Sequence, residues 1–247
     1  MRERIVAGNW KMNLNSLTIG DFIKDFPGLV SDIGNVKNII FPPSVYLYKF
    51  KEQSEILYGA QNMHPAPKGA FTGEHSPGML RDMGCRYVII GHSERRHVFG
   101  EKNDFLNEKI KAAFENNLIP VYCIGEKLDE RKSKKTFDVL KKQLKEGLRK
   151  IDDVDKCIVA YEPVWAIGTG ETATPEIAEE AHGFIRDELN KIKAGAGEEI
   201  SILYGGSVKP HNAEELIKKE NIDGFLVGGA SLQPEPFAQI TRFAREE

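Results

Sequence analysis

Short runs of aliphatic and β-branched residues recur along the chain, beginning near Ile5, Asn38, Ile56, Tyr87, Ile119, Cys157, Ile200 and Gly224. Their average spacing is about 31 residues, the length of one strand–loop–helix unit. Runs such as Tyr87-Val88-Ile89-Ile90 and Cys157-Ile158-Val159-Ala160 are apolar at every position, not at alternate ones. That is the pattern of strands covered on both faces. Between the runs the period becomes helical: Leu106, Ile110, Ala113 and Phe114; Phe137, Leu140, Leu144 and Leu148; Ile177, Ala181, Phe184, Ile185, Leu189 and Ile192. Thr174 and Pro175 form a cap and first turn for the last of these, and Ser76-Pro77 and Gly84 bracket a shorter helix. Strict alternation predicts parallel strands joined by right-handed crossovers. Eight units favour closure into one α/β domain over residues 1–247, a (β/α)8 barrel, with an open doubly wound sheet as the alternative. No composition break or linker divides the chain. The charged segment Glu126 to Lys135 reads as a solvated loop and helix start.

Composition narrows the class of partner. The chain has 247 residues, 34 Lys+Arg and 37 Asp+Glu, a formal net charge of −3. There is no global basic field for nucleic acid or an anionic membrane, so any anionic ligand must be held locally. The longest uncharged stretch, Ile56 to Pro67, is too short to span a bilayer and contains two prolines. Three widely spaced cysteines, Cys85, Cys123 and Cys157, with no CxxC, point to a reducing, cytoplasmic setting.

In a barrel of this kind the chemistry sits just after the strands. Reading those positions gives Asn9-Trp10-Lys11 after run one, Gly91-His92-Ser93-Glu94 after run four and Glu162-Pro163 after run six. Gly205-Gly206-Ser207 follows run seven, and Gly228-Gly229-Ala230-Ser231 follows run eight. Glu162 is a potential base, His92 an electrophile or proton shuttle, Lys11 a positive charge and Asn9 a neutral donor. The two diglycines let main-chain N–H groups approach an anion closely, as at phosphate sites built after strands seven and eight. Other motifs fail. Gly168 to Ala173 matches G-x-G-x-x-A but lies too far from its strand for a dinucleotide turn. His92 and His97 do not share a helical face, and no metal-ligand spacing occurs, so neither a metal nor a cofactor is expected.

Five segments together resemble the triosephosphate isomerase family over essentially the whole chain: Gly8 to Asn13, Gly91 to Arg96, Ala160 to Gly170, Tyr204 to Val208 and Gly228 to Leu232. The resemblance implies a (β/α)8 TIM barrel that interconverts dihydroxyacetone phosphate and D-glyceraldehyde 3-phosphate. It implies Glu162 as catalytic base, His92 as electrophile, Asn9 and Lys11 on the substrate, and the main chain at Gly168, Ser207, Gly228 and Gly229 around the phosphate. Ser93 and Glu94 are supporting residues. The resemblance also implies a neutral His92 beside the carboxylate base, the arrangement known in that family. Residues 163–174 correspond to the family's lid, with Glu171 where lysine is common. The loop 62–75 corresponds to a homodimer contact, with Thr72 and Arg95 at the interface. Cys123 is expected in the core. Two other functions fit the same strand ends: a Schiff-base aldolase-type barrel, for which Lys11 is the one strand-end lysine, and a catalytically silent sugar-phosphate-binding protein.

Overall fold

The computed structural model describes residues 2–53, 55–167 and 172–245. Eight strands, β1 (Arg4–Asn9), β2 (Val36–Phe41), β3 (Leu57–Ala60), β4 (Tyr87–Ile90), β5 (Ile119–Ile124), β6 (Ile158–Tyr161), β7 (Ile202–Tyr204) and β8 (Gly224–Val227), pair in parallel in chain order. β1 closes the ring by pairing with both β2 and β8, so that Ile5 stands beside Lys37 on one side and Gly224 on the other. Each run read from the sequence became a strand whose start lies within two residues of the expected position, and the open-sheet alternative is excluded by closure.

Side-chain alternation divides the core. One cluster takes Ile5 and Ala7, Ile39 and Phe41, Tyr87 and Ile89, Val121 and Cys123, Ile158 and Ala160, Leu203 and Leu226. These are strand residues only, spaced by two, and they fill the barrel interior. The intervening residues, such as Val6, Ile40, Val88, Tyr122, Val159 and Phe225, join a larger cluster with the inner faces of the helices. The helical patterns appear as Asn103–Glu115, Thr136–Gly147 and Pro175–Ile192. Thr174 caps the last, accepting from the Ile177 N–H at 3.3 Å. Ser76 caps Pro77–Asp82 as expected. Cys123 is fully buried.

The two barrel ends differ in chemistry. At the N-terminal ends of β7 and β8, buried Asp223 accepts from Arg186 Nη2 at 2.9 Å, from Arg2 Nε at 2.6 Å and from the Ile202 N–H at 2.8 Å. These three donors replace water around the buried carboxylate, so removing any one of them would leave a buried charge short of a partner. The opposite end carries a cleft.

The segment Glu126 to Lys135 departs from expectation. Its short helix Leu128–Lys132 is unburied, but Glu126 is completely buried. Its carboxylate accepts from Tyr161 Oη at 3.1 Å and Trp165 Nε1 at 2.8 Å, with Arg131 3.5 Å away. A buried carboxylate is tolerable because three donors replace water.

Candidate active site

A cleft of about 730 Å³ opens at the C-terminal ends of the strands and is lined by Asn9, Lys11, His92, Glu162, Ser207, Gly228 and Gly229. Each is a strand-end residue expected from the sequence. Gly168 and Glu171 lie outside the described residues, as do Thr169 and Gly170, so the middle of the segment 163–174 is not placed.

Lys11 reaches the cleft through an unusual backbone. Its φ is +51°, a left-handed conformation that costs a non-glycine residue about 1–2 kcal/mol. Two hydrogen bonds hold it, and a third fixes the Gln61 donor. The Lys11 N–H donates to Asn9 Oδ1 at 3.0 Å, and Gln61 Nε2 donates to the Lys11 and Phe41 carbonyls, each at 2.9 Å. At about 1 kcal/mol each, they offset the strain. The Lys11 ammonium sits 2.8 Å from Glu94 Oε1 and is partly exposed. An aldolase-type Schiff base needs a desolvated, unpaired amine instead.

His92 and Glu162 meet across the cleft floor. His92 caps the helix Ser93–His97, its Nδ1 accepting from the Glu94 N–H at 3.3 Å. That bond places the ring proton on Nε2, which lies 3.0 Å from Glu162 Oε1. The second carboxylate oxygen accepts from the Ser93 N–H at 2.8 Å. Burial pulls the His92 pKa down, but the Glu162 contact, with Glu94 beyond, overrides it and holds the pKa above its ordinary value. Burial likewise raises Glu162, and His92, Ser93 and Lys11 together bring it below the usual carboxylate range. The rise at His92 therefore belongs to this resting contact.

Glycine makes the geometry possible. A Cβ at Gly205 would stand 2.9 Å from Glu162 Cγ, so the turn after β7 must lack a side chain for the carboxylate to lie over it. Beyond it, Gly206, Ser207, Gly228 and Gly229 line the cleft, and a Cβ at Gly228 would stand 3.9 Å from Lys11 Cε. A carboxylate, an imidazole and an ammonium thus face a floor of main-chain groups. This set can move a proton on and off carbon and stabilise oxyanions beside a bound anion.

Thr72 and Arg95 lie elsewhere. Thr72 is exposed in the loop 62–75, whose base is closed by the His64 N–H donating to the His75 carbonyl at 2.9 Å. Arg95 binds Glu101 at 2.6 Å and stacks on Phe99. Two residues were missed by the sequence reading: Gln61, one position after β3, and Glu126, two after β5. Reading runs three and five by the rule applied to the other strands brings both to notice.

Comparison with known proteins agrees with this geometry. A profile of the family described as triosephosphate isomerase matches residues 4–244. Curated relatives bearing that name include one from Endomicrobium trichonymphae, 46% identical with 99% of this chain and all of the relative covered. One from Fusobacterium nucleatum subsp. nucleatum is 47% identical, covering 98% of this chain and 99% of the relative. One from Leptospira interrogans is 47% identical over 97% of this chain and all of the relative.

Proposed function

The chain belongs to the triosephosphate isomerase family, and from that premise we infer that its cleft interconverts dihydroxyacetone phosphate and D-glyceraldehyde 3-phosphate. The observation that carries the reading is the meeting of Glu162, His92 and Lys11 over the Gly205 to Ser207 and Gly228-Gly229 turns. We assign the phosphate to the main chain of Ser207, Gly228 and Gly229, with Gly168 from the lid.

In this reading substrate enters between His92 and Glu162 and replaces their 3.0 Å contact. Glu162 removes a proton from C1 of dihydroxyacetone phosphate. The C–H electron pair moves into the C1–C2 bond, and the carbonyl pair moves onto O2. His92 Nε2–H donates to the developing oxyanion, and Lys11 and Asn9 stabilise the same charge. His92 Nε2 gives its proton to O2 and takes the O1 hydroxyl proton in return, so that O1 becomes the aldehyde oxygen and O2 the hydroxyl, while protonated Glu162 returns the carbon proton to C2. Atoms and electrons balance without hydride or electron transfer, so the step calls for no cofactor. Residues 163–174 act as a lid that excludes water from the enediolate. Within the described part of the lid, Trp165 is tied to buried Glu126.

We further propose a cytoplasmic homodimer that binds neither nucleic acid nor membrane. Among the described residues no helix is long and apolar enough to cross a bilayer. Support for the dimer is an apolar surface on consecutive strand-end loops. Met12 follows β1 at 95% exposure, Val45 follows β2 at 69%, Phe71 lies in the loop 62–75, and Phe99 follows β4. A monomer rarely exposes such a series, and an isologous pairing through Thr72 and Arg95 covers it. Sedimentation at micromolar concentration should give a dimer; a monomer refutes this part.

The reaction is tested by converting glyceraldehyde 3-phosphate with purified protein in a coupled assay. Glu162→Gln should keep the fold and lose at least ~10²-fold in kcat, the low end for a general base. Near-normal turnover by that variant rejects the assignment.

A further inference from the structure

The helix Thr136–Gly147 stands outside the cleft, yet one of its side chains reaches the wall behind the base. Gln143 is buried, and its amide engages both main-chain polar atoms of Gly125. The Gly125 N–H donates to Oε1 at 2.8 Å, and Nε2 donates to the Gly125 carbonyl at 3.1 Å. The helix is itself fixed to β5 by Tyr122 Oη, which donates to the Gln143 carbonyl at 2.7 Å.

Gly125 lies directly against the Glu162 main chain. A Cβ at Gly125 would fall 1.7 Å from the Glu162 carbonyl oxygen and 2.6 Å from its carbon, so the two backbones touch with nothing between them. The residues flanking Gly125 hold those around the base. The Glu162 N–H donates to the Ile124 carbonyl at 2.7 Å, and the Val164 N–H to the Glu126 carbonyl at 3.1 Å. The Glu126 carboxylate then holds Trp165. A rotation of the chain at Gly125 therefore reaches the base through one neighbour and the lid hinge through the other. Removing the Gln143 amide leaves a buried N–H and a buried carbonyl without partners, and the segment turns to find new ones.

We propose that Gln143 is a positioning residue for the isomerisation, setting the Gly125 backbone and through it both Glu162 and the Trp165 anchor. The proposal rests on the reading of Glu162 as the base. Its test is Gln143→Met, which keeps the volume and removes both hydrogen bonds. The kcat should fall by ~10- to 10²-fold, the scale of a misplacement of about 1 Å. KM should stay within about threefold, because the turns after β7 and β8 are untouched. The chain has two tryptophans, so two indole N–H resonances report separately. That of Trp165 should move, while that of Trp10, which donates to the Ser231 carbonyl at 2.8 Å, should not. A residue that only stabilises its helix would lower Tm and leave kcat per folded molecule and both resonances unchanged; that result overturns the proposal. If Gln143→Met does not fold, Gln143→Asn carries the same expectations, since its amide falls one methylene short of Gly125. Full activity of Glu162→Gln would instead refute the reading of the base, so the two failures are separable.

Discussion

The close approach of Gly205 to the base gives a sharp test of how far geometry controls rate. In Gly205→Ala the new Cβ stands 2.9 Å from Glu162 Cγ and 3.2 Å from the Tyr161 carbonyl oxygen. Ordinary contact lies near 3.5–4.0 Å, so something must give by roughly 0.6–1 Å. The Tyr161 carbonyl is held, since the Gly205 N–H donates to it at 2.7 Å. The side chain of Glu162 must retreat. A shift of about 1 Å in a reacting group costs ~10²-fold, or about 2.7 kcal/mol in the barrier. Overpacking costs the fold only about 1–3 kcal/mol, within the usual margin of a domain. Steady-state assays in both directions, with circular dichroism to confirm folding, should show kcat down by ~10²-fold and KM little changed. Gly229→Ala supplies the contrast. Among the described residues, chain neighbours aside, its Cβ meets no atom within 4 Å, so its effect should come through the ligand, as a raised KM. A Gly205→Ala enzyme with kcat within about threefold of wild type refutes the claim that this turn sets the base.

Further predictions concern stability. His182 is fully buried, and burial lowers its pKa to about 4 from 6.5. The unfolded chain binds the proton first, so stability is complete above pH 6.5 and is lost as pH falls towards 4, by on the order of 3 kcal/mol. Urea midpoints at pH 7 and pH 4.5 should draw closer together in His182→Gln than in wild type; an equal gap removes His182 from the acid response. Trp165→Phe deletes the indole donor to Glu126 and should cost about 1.5–3 kcal/mol, as for a bond to a charged group. A loss under about 0.5 kcal/mol in denaturant titration means the contact does not anchor the hinge.

The parts of this molecule that the sequence made legible are those governed by one-dimensional patterns. β4 and β6 are apolar at every position because both faces are covered, and Thr174-Pro175 announces a helix through local chemistry. Asn9, Lys11, His92 and Glu162 could be found because strand ends are where a parallel barrel exposes side chains. Glu126 was misread because its neighbours Lys127, Asp129, Glu130 and Arg131 make a solvated run that outweighed its place just after β5. Its burial depends on Tyr161 and Trp165, more than thirty residues away. Gln143 lies on a helix whose polar positions mostly face water, and its bond to Gly125 is a tertiary fact with no local signal. The left-handed turn at Lys11 is hidden for the same reason, since Gln61 supports it from another strand end.

The central claim is that Glu162 carries a proton between two carbons of one substrate. Turnover of dihydroxyacetone phosphate in deuterium oxide, followed by proton NMR of the product, tests it most directly. Wild type should place carbon-bound deuterium at C2 of glyceraldehyde 3-phosphate, because protonated Glu162 exchanges with solvent, and Glu162→Gln should incorporate it at least ~10²-fold more slowly. Incorporation or turnover by Glu162→Gln at the wild-type rate would contradict it.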